Sequence, residues 1–99
     1  MYCFIRDLRL MIEDYDLEID TEHISEQMSL ITGQSVTSIA IRGDHIISGS
    51  DDKTIKVWSL SEGTCLKTLK GHIDIIASIA CQGNRIVSGS RDRTIRIWS

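Results

Sequence analysis

His72, Ser88 and Asp92 are the residue types of a nucleophilic hydrolase: a hydroxyl, an imidazole to take its proton and a carboxylate to orient the imidazole. Cys3, Cys65 and Cys81, with His23, His45 and His72, are of metal-ligating types. Arg85, Arg91, Arg93 and Arg96 stand near Trp98, cations beside an aromatic face on which single-stranded nucleic acid could stack. Spacing removes most of this chemistry. No histidine lies within a few residues of a cysteine, so no zinc pattern forms. The odd, widely separated cysteines do not suggest a disulfide framework, and reduced thiols are expected. The Ser and Asp of the hydrolase set recur 40 residues earlier as Ser48 and Asp52. A nucleophile has no reason to recur. The formal net charge is −3 and the pI about 5.5, so the basic cluster sits in an acidic chain and nucleic-acid binding is not expected. No glycine-rich phosphate loop or nucleophile motif appears. The chain is therefore expected to be neither an enzyme nor a cofactor binder.

The recurrence is general. Residues 36–59, VTSIAIRGDHIISGSDDKTIKVWS, match residues 76–99, IASIACQGNRIVSGSRDRTIRIWS, at 13 of 24 positions. A period of about 40 is the length of one propeller blade rather than of a domain. Such a unit cannot bury its own apolar face, so its neighbours matter as much as its residues.

Alternation predicts strands near 27–31, 36–41, 45–50, 54–58, 65–69, 75–81, 85–90 and 94–98. In Thr54–Trp58, Ile55 and Val57 face one side while Lys56 and Trp58 face the other, as in a half-buried antiparallel strand. With no proline in the chain, turns fall to Gly43-Asp44, Gly83-Asn84, Asp51-Asp52-Lys53, Arg91-Asp92-Arg93 and Ser61-Glu62-Gly63. Upstream, Phe4, Ile5, Leu8, Met11, Ile12 and Tyr15 recur every three or four residues, which predicts a helix over 2–15. An acidic run, Glu13 to Glu22, separates the two regions. Residues 1–25 thus form a helix and linker, and residues 26–99 the repeats. No run of 18 apolar residues exists, and Arg6, Asp7 and Arg9 interrupt the first apolar stretch. A cytoplasmic or nuclear protein without membrane contact is expected.

Two in-register copies of SGSxDxTIxxW, the second preceded by Gly71-His72, resemble the WD40 repeat. The resemblance covers residues 26–99. It implies a mainly β fold: two antiparallel four-stranded blades of a partial β-propeller, with the N-terminal α-helix beside them. Blade one would span 36–70, and 75–98 would be three strands of blade two. It also implies that each blade is held by a hydrogen-bonded set: His72, Ser88, Asp92 and Trp98 in the second, and Ser48, Asp52 and Trp58 in the first. The first copy departs from the pattern, with Gly33-Gln34 where Gly-His is expected, and both copies end in Trp-Ser rather than Trp-Asp. The implied function is a non-catalytic scaffold binding proteins or peptides on the face that carries Asp51, Lys53, Ile73, Asp74, Arg91 and Arg93. Arg91 and Arg93 could hold a carboxylate or phosphate through charge-assisted hydrogen bonds.

Residues 27–31 align with Cys65–Leu69 and are expected as an orphan fourth strand. The chain stops at Ser99, one strand short of a second blade. It is expected to be a fragment of a larger propeller, a self-assembling piece that exchanges strands between copies, or an open sheet edged by its helix.

Overall fold

The computed structural model describes residues 24–99. The expected helix over 2–15 and the acidic run lie outside the described residues. Seven strands follow in chain order: β1 (Val36–Arg42), β2 (His45–Ser50), β3 (Ile55–Ser59), β4 (Cys65–Leu69), β5 (Ile76–Gln82), β6 (Arg85–Ser90) and β7 (Ile95–Trp98). They form two antiparallel meanders, a four-stranded sheet ordered β1-β2-β3-β4 and a three-stranded sheet ordered β5-β6-β7. Where the boundaries of these seven differ from expectation they do so by one residue, the usual scatter of frayed strand termini.

Turn chemistry accounts for the connections. Gly43 and Gly83 occupy the first central position of two-residue hairpins, with φ of 59° and 57°. A type II′ turn asks for glycine there because its backbone enters the left-handed half of φ space. The β2–β3 and β6–β7 hairpins put four residues between their strands instead. Lys53 N–H donates to Ser50 C=O at 3.3 Å, and Arg93 N–H to Ser90 C=O at 3.1 Å. Each stands one residue short of the next strand, and Lys53 (φ 75°) and Arg93 (φ 71°) take the left-handed position that closes the loop.

A bulge recurs at the same place in both sheets, between Val36 and Ser38 and between Ile76 and Ser78. One extra residue shifts the two-residue period by one. Ile76 and Ile79, three apart, therefore point the same way and are 0% and 7% exposed. They pack on Ile47 and Ile55 of the first sheet to form the core, with Ala40, Val57, Leu69, Cys81, Ile86 and Trp98 around it. Gly49 permits this approach, because a Cβ there would collide with Ile76 Cγ2. The Ser38 hydroxyl accepts the Ile79 N–H at 3.0 Å across the interface.

One expected strand is absent. No strand forms over residues 27–31. A fourth strand needs the free edge of a third, and the edge this segment was matched to belongs to β7 in the far sheet. Met28 and Leu30 instead lie against Gly63 at the β3–β4 turn of the near sheet.

Candidate functional site

The second sheet buries a linear hydrogen-bond chain. His72 stands in the β4–β5 connection, Ser88 in mid-β6, Asp92 in the β6–β7 turn and Trp98 at the end of β7. His72 Nδ1 lies 2.8 Å from Asp92 Oδ2, and His72 Nε2 lies 2.7 Å from Ser88 Oγ. The Trp98 indole N–H donates to Ser88 Oγ at 2.9 Å. The side chains of His72 and Asp92 are 0% and 2% exposed, and Ser88 is 0% exposed.

These roles fix the protons. The indole is a donor only, so Ser88 Oγ accepts from Trp98 and has its own proton to give to His72 Nε2. His72 Nδ1–H then donates to Asp92. A neutral imidazole in this tautomer leaves none of these buried polar atoms without a partner. The serine hydroxyl is hydrogen-bonded on both sides and 0% exposed, so it lacks the access a nucleophile needs.

Asp92 is the anchor. Its Oδ2 also accepts the Ile73 N–H at 3.1 Å. Its Oδ1 accepts the Thr94 N–H at 2.9 Å and the Thr94 hydroxyl at 2.5 Å. Burial pushes the carboxyl up, but the bonds from Thr94, His72 and Ile73 outweigh it and hold Asp92 well below the usual carboxylate range. Gly71 lets the indole close over the loop, since a Cβ there would stand 2.9 Å from Trp98 Cη2. The His72 and Trp98 rings meet edge to face, with centroids 6.2 Å apart.

The first sheet holds the same residues in two separate pieces. The Trp58 indole donates to Ser48 Oγ at 2.9 Å. Asp52 Oδ1 accepts the Thr54 hydroxyl at 2.6 Å and its N–H at 3.0 Å. The Thr54 hydroxyl lowers the Asp52 carboxyl, burial opposes it, and further bonds from Thr54 and Ser50 with the nearby Lys56 charge leave it below its ordinary value. Gln34 is exposed and, among the described residues, hydrogen-bonds only through its backbone, to Thr32. Among the described residues nothing links Ser48 to Asp52.

The six face residues occupy one end of the molecule, where β2 and β6 finish and β1 and β5 start. The second-sheet members are brought together directly. Arg91 N–H donates to Ile75 C=O at 3.0 Å, and the Ser90 hydroxyl donates to Asp74 C=O at 3.2 Å. Ile73 is 77% exposed, Arg91 and Arg93 are exposed, and Asp74 is half-buried. Among the described residues neither arginine forms an ion pair. Asp51 and Lys53 sit at the same end of the other sheet, also exposed. Thr94 was not singled out from the sequence, although a threonine at that place in both copies was the available signal.

Among the described residues, no group of His, Cys, Asp and Glu is placed to hold a metal ion. Cys65 and Cys81 are free thiols. The model of the WD domain, G-beta repeat, matches residues 25–59 and 63–99. The chain belongs to the WD40 repeat family. It is 54% identical over 37 residues to F-box/WD repeat-containing protein 7 of Drosophila melanogaster, a match covering 37% of this chain and 3% of that protein. It is 41% identical over 71 residues to cell division control protein 4 of Candida albicans, covering 71% of this chain and 10% of that protein. Among solved structures, the computationally designed Ika4 protein superimposes with a TM-score of 0.61 at 33% identity, over 65% of this chain and 40% of that one. U3-55K does so with a TM-score of 0.61 at 30% identity, over 64% of this chain and 20% of that one. The chain thus spans 3% to 10% of the length of these two curated relatives. Its two sheets are WD40 propeller blades, one with four strands and one with three. WD40 repeats of this kind make it a protein-interaction scaffold module.

Proposed function

We propose that this module is non-catalytic and recognises an acidic protein or peptide segment on the loop face at Ile73, Arg91 and Arg93, with Asp51, Lys53 and Asp74 at its margin. The observation that carries the reading is Arg93. An L-residue at φ 71° is strained where glycine would be relaxed. The strained position holds an exposed guanidinium beside a second one, Arg91, and a hydrophobic side chain, Ile73. Arginine forks pair with carboxylate or phosphate in a bidentate way. The buried His72–Asp92 pair supports this arrangement from beneath, because Asp92 also fixes the Ile73 backbone. The buried chain serves to hold the blade rigid, as satisfied polar networks do. The working compartment is the cytoplasm or nucleus.

The test is a titration of the isotope-labelled chain with a peptide rich in glutamate and phosphoserine, followed by amide chemical shifts. Shifts should centre on Ile73 and Arg91–Arg93 and fall at least about tenfold in affinity with Arg91→Ala plus Arg93→Ala. Shifts elsewhere, or none, sink the reading.

A second reading is self-assembly by strand exchange without an independent partner site. Ile31 is 91% exposed, and among the described residues no strand covers the outer edge of β7. Residues 27–31 of one copy would pair there on another, as β4 pairs with β3.

A further inference from the structure

At the end away from the loop face, where β1 and β5 finish and β2 and β6 start, a cavity of about 190 Å³ opens between the two blades. Its apolar walls are Ile47 and Val57 of blade one and Ile86 of blade two. Its polar residues are Arg42, His45 and Asn84, at the two facing hairpins. All six line the seam where the sheets meet, so the cavity does not depend on the outer flank of either sheet. Ligand sites are largely apolar with a few convergent polar groups, and this one has that composition. It is smaller than the ~300–1,000 Å³ of drug-sized pockets, so it suits one side chain or a small acid.

Arg42 sets the charge of the cavity. Its Nη2 donates to Asn84 Oδ1 at 3.4 Å, long for a hydrogen bond. Among the described residues it forms no ion pair. The half-buried guanidinium therefore keeps donors to spare. Asn84 holds the place in its hairpin that Asp44 holds in the other. An aspartate at 84 would neutralise Arg42 within the fold, whereas the amide leaves its charge uncompensated. Asp44 itself is engaged elsewhere, with Oδ2 accepting the Ser61 hydroxyl at 3.0 Å.

We propose that this cavity binds a carboxylate carried on a short branched aliphatic body. Arg42 holds the carboxylate through its fork of N–H donors. The Asn84 amide, rotated by a half-turn, donates to the same group. Ile47, Val57 and Ile86 receive the aliphatic body. Charge selects this class of ligand, because Arg42 is the one permanently charged side chain of the six and balances one negative charge. A phosphate carries about −1.5 to −2, more than Arg42 balances, and has no apolar part to set against the three aliphatic walls. The same chemistry comes from two sources, a free short-chain acid or the last residue of a peptide that ends in leucine. The proposal does not rest on the loop face at Arg91 and Arg93.

The test is an amide chemical-shift titration of the isotope-labelled 99-residue chain. The ligands are 4-methylpentanoate, its uncharged amide, and a pentapeptide ending in leucine with its C-terminus free or amidated. Saturable shifts should centre on Arg42, His45, Asn84 and Ile86. Arg42→Gln should lower affinity at least about tenfold, as loss of a hydrogen bond to a charged group does. Ile86→Phe, which fills the cavity, should lower it as far. Circular dichroism checks that both variants fold, and Arg42→Gln decides alone if Ile86→Phe does not. Arg85→Gln removes a neighbouring cation that does not line the cavity and should leave affinity unchanged, as should Arg91→Ala with Arg93→Ala. Binding of the free acid supports the proposal with a small molecule as the source, and binding of the free peptide alone supports it with a chain terminus. The proposal is overturned if neither carboxylate shifts these amides or if the uncharged analogues bind equally well. It is overturned equally if Arg42→Gln binds as the wild type does, or if Arg85→Gln weakens binding as much as Arg42→Gln.

Discussion

The two blades share Ser, Asp and Trp at matched positions, yet only one joins them. In blade two His72 spans the gap between Ser88 and Asp92, 2.7 Å to one and 2.8 Å to the other. In blade one Gln34 lies exposed, and Ser48–Trp58 and Asp52–Thr54 stay apart. Burial does not follow the polar chain. Blade one buries Ile47, Ile55 and Trp58 and exposes Val36 and Ile39, whereas blade two buries Ile76 and Ile79 and exposes Ile95 and Ile97. Each blade thus has one covered apolar side and one open one. A repeat unit can be held from within by its hydrogen bonds or from outside by its neighbour.

The sharpest way to break this comparison is to trim the matched bulge residue in both blades. Ile76→Ala should cost about 2–5 kcal/mol, as for a large side chain removed from a packed core. Val36→Ala, its exposed counterpart, should stay within about 0.5 kcal/mol. Urea unfolding of the two variants gives the difference directly. Equal effects would mean that the blades do not stack in this order.

Next in size is the polar chain itself. His72→Ala leaves Ser88 and Asp92 buried without their partner, a loss of about 1–3 kcal/mol. Gln34→Ala should do nothing measurable by the same assay. A silent His72→Ala would show that the chain of bonds follows the fold rather than supports it.

Much of this contrast was legible in the residues. Alternation and glycine-bearing turns marked seven of the strands, because period and turn chemistry are local. The His72–Ser88–Asp92–Trp98 set was legible through a family resemblance, and the missing His at Gln34 through the departure from it. The segment 27–31 was not. Its alternation resembles that of Cys65–Leu69, but a strand exists only against an edge, and no local pattern says which edge is within reach. The bulges at Val36/Ser38 and Ile76/Ser78 were also hidden, since one inserted residue leaves no mark in composition. Through them Ile76 and Ile79 came to the same side and into the core.

A pH titration of stability sharpens the comparison further. Asp92 and Asp52 both have folded carboxyls below their ordinary value. A depressed folded pKa contributes stability that is fully present above the unfolded value of about 3.9. That stability is lost as pH falls from there towards the folded value. Stability should therefore be flat above roughly pH 5 with respect to these groups and decline below pH 4. Asp92 has His72 and Ile73 as donors in addition to Thr94, whereas Asp52 has no such pair. Asp92→Asn should remove more of the acid-side decline than Asp52→Asn in denaturation measured across pH 2–6. The reverse order would place the stronger anchor in the blade without histidine.

The smallest expected effect separates strain from recognition. Lys53 and Arg93 hold matched left-handed positions, at φ 75° and 71°. Glycine relieves a left-handed L-residue of about 1–2 kcal/mol and returns about 0.5–1 kcal/mol of that as added freedom in the unfolded chain. Lys53→Gly and Arg93→Gly should each stabilise by roughly 0.5–1 kcal/mol, equally in both blades, because backbone strain is blind to the side chain it carries. Binding is not blind to it. If the loop face reads acidic groups through Arg93, Arg93→Gly should weaken binding of the glutamate and phosphoserine peptide strongly, while Lys53→Gly, at the margin of the face, should weaken it far less. Equal gains in stability with equal affinity for the peptide would show that the cation at Arg93 is as dispensable as the one at Lys53, and that recognition lies elsewhere on the blades.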